Sequence, residues 1–288
     1  VIIDSYANGF IANVQRVANE FDHADGTFRK AWDLWKAGPA VDFDPLAEWR
    51  LLSLEASLRR AQHRFSESLD LLDRARDTCD ESPAGIGRIL MKKSHVLEQQ
   101  EDFAGALASL QEATPMIEVS GDHHLLFGLR FDTVANLRHL QRYVEAETLL
   151  KDVRELAVQQ ASELSLTRVT WLGANIASGL GRMEEAMAAL EQVRGDFAAR
   201  ELPYEAALSS LDLAVLWLAV GRTSQVKALA FGMGWIFKAK GIDQKALAAL
   251  TLFCEAARQE TATVELTRQI IADIEAARRL RSPRRVEG

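Results

Sequence analysis

A small-large-small spacing, Ala-x3-Phe/Leu-x2-Ala/Val, recurs along this chain and constrains its fold more than any other feature. It reads Ala24-Phe28-Ala31, Ser68-Leu72-Ala75, Ala106-Leu110-Ala113, Ala146-Leu150-Val153 and Ala186-Leu190-Val193, with a weaker copy at Val226-Ala230-Met233. Successive copies begin 44, 38, 40, 40 and 40 residues apart. A fixed period of this length marks stacked repeats, each burying its apolar face only against its neighbours. Such a chain works by presenting surface, not by enclosing a reaction.

The periodicity within each copy is helical. In Leu51-Leu52-x3-Ala56-x-Leu58 and Leu69-x-Leu71-Leu72-x2-Ala75, apolar residues recur at three- and four-residue steps. Alternating β-type runs are almost absent, and no Asn-Gly pair joins two such runs into a hairpin. Tight turns at 62–65, 99–103, 140–143, 179–182 and 220–222 divide each unit into two helices. Pro39, Pro45, Pro83 and Pro203 fall between units, where they spare the helices a cost of about 3 kcal/mol each. Pro115 reads as the end of a second helix, and Asp243, after Gly241, as an N-cap. The expectation is an all-α chain, a right-handed α-solenoid of six or seven antiparallel helix pairs. The units are placed at 5–37, 46–80, 84–116, 123–158, 163–198, 203–238 and 243–277, followed by a basic tail over 278–288.

Charge and cysteine content narrow the function. The net charge of −7 speaks against wholesale nucleic-acid or membrane binding. No apolar run approaches the ~20 residues of a membrane-spanning helix. Cys79 and Cys254 lie in different units and read as packing thiols, which suits a reducing compartment such as the cytoplasm. The opening Val1-Ile2-Ile3 lacks an initiator Met, which fits an excised piece of a longer protein with an upstream effector domain.

The stretches Phe65-Ser66-Glu67-Ser68, Phe103-Ala104-Gly105-Ala106, Tyr143-Val144-Glu145-Ala146 and Met183-Glu184-Glu185-Ala186 resemble the second-helix motif of the tetratricopeptide repeat. The resemblance covers roughly residues 5–275. The 40-residue period is longer than usual for that family and is similar to that of the ligand-sensing arms of bacterial regulators and of cargo-binding light chains. The first helices keep only the motif's spacing, so their phase is the less secure. The resemblance implies that first-helix positions two, five, nine and twelve line an inner groove. That places there Asn13 and Arg16; Arg50, Ser53, Ser57 and Arg60; Arg88, Met91, His95 and Glu98; Phe131 and Arg138; and Arg168, Trp171, Asn175 and Ser178.

Arginine forks bind carboxylates in two-pronged fashion and aromatic rings anchor peptides, so this stripe suits an acidic or C-terminal peptide segment. Solvated arginines paired with nearby carboxylates are the plain alternative. Nucleic-acid binding through the stripe, and self-association through an exposed end, are the other readings. Leu208, Leu211 and Val215 either pack beneath a final helix pair or floor an apolar site. Trp32 and Trp35 read as packing against the second unit, and Trp217 and Trp235 as core.

Catalytic signatures are missing from the sequence: there is no His-Glu-x2-His, phosphate-binding loop, nucleophile elbow or Cys-x2-Cys. His123-His124 in an inter-repeat loop do not make a metal site, Gly179-x-Gly181 reads as a turn, and His95/Glu98 as a solvated pair. Neither enzyme activity nor a cofactor or metal is expected. The partner is a peptide or protein.

Overall fold

The computed structural model describes residues 2–38, 48–79, 82–160, 162–239, 242 and 244–281. Fourteen α-helices fill these residues, which contain no strand. These described residues divide into two compact units, those up to 136 and those over 137–281.

In the first unit, α1 (Ile2–Val17) pairs with α2 (Phe21–Ala37), α3 (Glu48–Ala61) with α4 (Phe65–Asp77), and α5 (Pro83–Gln99) with α6 (Phe103–Ser120). The helix α7 (His123–His139) begins in this unit. In the second, α8 (Tyr143–Gln159) packs on α9 (Glu163–Gly179), and α9 on α10 (Met183–Ala199). There follow α11 (Pro203–Ala219) with α12 (Thr223–Gly232), a 3-10 stretch Met233–Lys238, and α13 (Gln244–Arg258) with α14 (Val264–Arg281).

The recurrent signature supplies the core. Ala24, Phe28 and Ala31, then Leu72 and Ala75, then Ala106, Leu110 and Ala113 are buried in the first unit. Ala146, Val153, Ala186, Leu190 and Val193 are buried in the second, with Leu150 half-buried. Small residues admit a neighbouring helix, and the large residue four positions on fills the gap. Ser68 takes an alanine's place because its hydroxyl donates to the Ala56 carbonyl at 2.7 Å, so no buried donor is left open.

Each helix hairpin turns by one device. The second residue past the helix takes a left-handed φ and the next N–H reaches back five residues. Thus Glu101 (φ 62°) precedes the bond from Asp102 N–H to the Leu97 carbonyl, and Gly181 (φ 80°) the bond from Arg182 to Ala177. Asn19, His63, Gln141, Glu201, Gly221 and Glu260 repeat the conformation.

Pro115 lies inside α6 and does not end it. The helix continues because Ala113 and Ile117, on either side, are fully buried; that burial outweighs one lost backbone hydrogen bond. His123 and His124 open α7 and are not loop residues. Asp243, Gly241, Pro39 and Pro45 lie outside the described residues, whereas Pro83 and Pro203 open α5 and α11.

Trp32 packs into the first unit's core and donates its indole N–H to Glu55 of α3 at 2.7 Å; Trp35 meets the Tyr6 ring at 6.1 Å. Trp217 is buried and Trp235 packs against the same second-unit cluster. Cys79 and Cys254 are both buried, and burial pushes the Cys254 thiol up to about 11, away from thiolate chemistry.

Candidate ligand-binding faces

In the first unit three successive first helices bring cations together. Arg16, in the last turn of α1, is buried, and its Nε donates to Asn13 Oδ1 at 3.0 Å. Its Nη1 is buried without a partner. Burial, with Arg60 of α3 adding its charge, lowers Arg16 to about 10. Lys92 of α5 donates to the Ser53 carbonyl at 2.8 Å and to Ser57 Oγ at 3.3 Å. Burial foremost, then Arg60, Arg16 and Arg88, pushes its ammonium down to about 7. Two cations whose partners among the described residues are all neutral thus sit beside further arginines, in a chain that is acidic as a whole.

Next to this centre the face changes sign. His95 Nε2 pairs with Asp132 Oδ2 of α7 at 2.8 Å, both groups buried. Asn136 Nδ2 donates to Glu98 Oε1 at 2.7 Å and to the Asp132 carbonyl at 2.8 Å. His95 and Glu98 therefore do not form the solvated pair expected; each reaches a residue of α7.

Other stripe residues lie apart. Arg50 is exposed, its guanidinium 5.2 Å from the centre of the Trp49 ring. Arg88 pairs with Asp122 at 3.0 Å and is half exposed. Met91 is buried in the core among Leu90, Leu110 and Leu129. Phe131 meets the Phe127 ring at 5.9 Å.

In the second unit the centre is a carboxylate. Asp212 Oδ2 of α11 accepts from Trp171 Nε1 at 2.7 Å and from Asn175 Nδ2 at 3.2 Å, both on α9. Burial raises its pKa; the two donors and Arg138 pull the other way, and Glu275 adds to the rise. Trp171 is fixed edge-on against Phe197 at 5.5 Å. Arg138 meets His139 Nε2 at 2.7 Å through Nη2, and its Nε is buried without a partner. Arg168 lies 3.8 Å from Glu205. Leu208 and Leu211 join the core that includes Ile270 and Ile274 of α14, while Val215 lines a small cavity with Ile271. Leu208 and Leu211 thus pack against the final helix pair.

Lys92, Asp132, Asn136 and Asp212 were not among the sequence candidates. A signal was present, since Lys92, Asp132 and Asp212 share one register of the 40-residue period, directly after Met91, Phe131 and Leu211. Among the described residues no three His, Cys, Asp or Glu side chains gather as a metal site, and no helix is long and apolar enough to cross a membrane.

Neither a family model nor a curated protein matches the chain. Solved structures do. The apo form of RapI superposes with a TM-score of 0.71 at 14% identity, over 96% of this chain and 98% of that one. NprR in complex with its cognate peptide NprX gives 0.59 at 15% identity, over 95% and 78%. A tetratricopeptide repeat protein from Parabacteroides merdae gives 0.59 at 15% identity, over 94% and 99%. The fold is the tetratricopeptide type: all-α, in stacked antiparallel helix pairs.

Proposed function

We propose that this chain is a non-catalytic, peptide-binding module, the sensing or interaction arm of a bacterial regulatory protein working in the cytoplasm. The observation that carries this reading is the cationic centre of the first unit. A buried guanidinium with an open Nη1, beside an ammonium that among the described residues is held only by neutral oxygens, is costly unless an anion completes it. The anion of a peptide is a terminal carboxylate or an Asp or Glu side chain, and Arg16 with Lys92 supplies a planar fork and a point charge for it. Asn13, Ser57 and Arg60 frame the centre. Likeness to NprR, which was solved with a peptide, favours the same class of ligand.

Fluorescence anisotropy with short labelled peptides, acidic or neutral and with free or amidated C-termini, tests the reading. Acidic or free-acid peptides bind, and Arg16→Met/Lys92→Met weakens them by tenfold or more, a loss of about 1.4 kcal/mol. Equal binding by the folded double variant refutes the site. Preference for a single-stranded oligonucleotide, with affinity falling steeply with salt, refutes the peptide class.

A further inference from the structure

We propose that the cavity among α9, α10, α11 and α14 of the second unit binds an α-ammonium group that carries a short aliphatic side chain. The group belongs either to a free amino acid or to the first residue of a peptide. The cavity measures about 160 Å³, close to the ~150 Å³ that accommodates benzene in an engineered protein cavity. Its wall is divided. Asp212, Asn175 and Ser178 supply polar atoms; Leu190, Val215, Leu216 and Ile271 supply the apolar part; Arg268, an exposed residue of α14, completes the lining.

The carboxylate is set for a cation. Both protein donors, from Trp171 and Asn175, go to Oδ2, and Oδ1 receives none among the described residues. The edge-on contact of Trp171 with Phe197 fixes the indole and, through it, the acid. Asp212 is half-buried and its Oδ1 is accessible, so an ammonium, which brings three donors, can reach that oxygen. Leu190, Val215, Leu216 and Ile271 share the small cavity's wall with Asp212, so the lining calls for a ligand whose hydrocarbon branches close to its nitrogen. An α-amino acid residue such as leucine or valine meets this requirement, whereas the long stem of a lysine side chain does not. Arg268 distinguishes the two sources, because a free amino acid has a carboxylate for it and an amino-terminal peptide residue has none.

No residue of the first-unit anion site takes part, so this inference and the proposed function can fail separately. Isothermal titration of the full chain with leucine, leucinamide and N-acetyl-leucinamide is the test. Leucine and leucinamide bind in the millimolar range and N-acetyl-leucinamide does not. Asp212→Asn weakens binding at least tenfold, and Val215→Phe, which fills the cavity and leaves the acid in place, does the same. Leucine stronger than leucinamide, with the preference lost in Arg268→Gln, identifies a free amino acid. Leucinamide at least as strong identifies a peptide amino terminus. Absence of heat from both ligands, equal binding of the acetylated compound, or full binding by Val215→Phe overturns the inference. Should Asp212→Asn not fold, Val215→Phe alone decides.

Discussion

The two units use one helical scaffold to hold opposite charges. At one register of the repeat the first unit carries Lys92, held by the Ser53 carbonyl and Ser57 hydroxyl beside Arg16. At the same register the second carries Asp212, held by Trp171 and Asn175. In each, the neighbouring first helix provides neutral hydrogen-bonding groups and the ionisable group projects from the next one. The difference teaches that pair packing and the chemistry of the first-helix faces are separable. Small and large residues of the second helices set the stack, leaving first-helix positions to take either sign.

The largest effects test whether the units are alike beneath those faces. Phe28 and Phe197, both fully buried, each anchor a core. Replacing either by Ala costs about 3–5 kcal/mol in denaturant unfolding; a small loss at one site alone would break the parallel.

Arg16→Met separates binding from stability. Removing a buried guanidinium with an unpartnered Nη1 stabilises the fold by about 1–3 kcal/mol while lowering affinity for acidic peptides. Loss of both at once would show that the guanidinium is satisfied in the folded protein.

The pH response sharpens the contrast in sign. The folded pKa of Lys92, about 7, lies below its ordinary 10.5. Between those values the unfolded chain binds more protons, so the contribution of this lysine to stability grows as pH rises through the window. Bound anions require the charged form, so affinity for acidic peptides falls as pH rises through about 7. In Lys92→Met that component of the pH profile disappears, as titration of peptide affinity against pH would show.

The smallest effects concern the turns. Glu101 in the first unit adopts the left-handed conformation that Gly181 provides without strain in the second. Glu101→Gly stabilises and Gly181→Ala destabilises, each by about 1 kcal/mol in thermal unfolding.

Much of the fold was legible because its determinants are local and repeated. Ala106, Leu110 and Ala113 announce a close helix contact by type and spacing alone, and Gly181 announces its turn. Pro115 misled, since a helix propensity of a few kcal/mol gives way when Ala113 and Ile117 on either side are both buried. The candidate faces were legible only in part. Arg16 and Arg60 lay on the expected stripe, as did Trp171 and Asn175, but Arg88 and Arg168 lie beside Asp122 and Glu205. Lys92 and Asp212 were passed over for neighbours one residue earlier.

The sequence by itself determined the class, the period and the small-large-small contacts, because these depend on side-chain size and helical geometry within about forty residues. Only the tertiary structure decided which charges are left facing neutral partners. That depends on residues some forty positions apart, Ser53 with Lys92 and Trp171 with Asp212. A helix's rotation about its own axis, which no local pattern fixes, determines whether they meet.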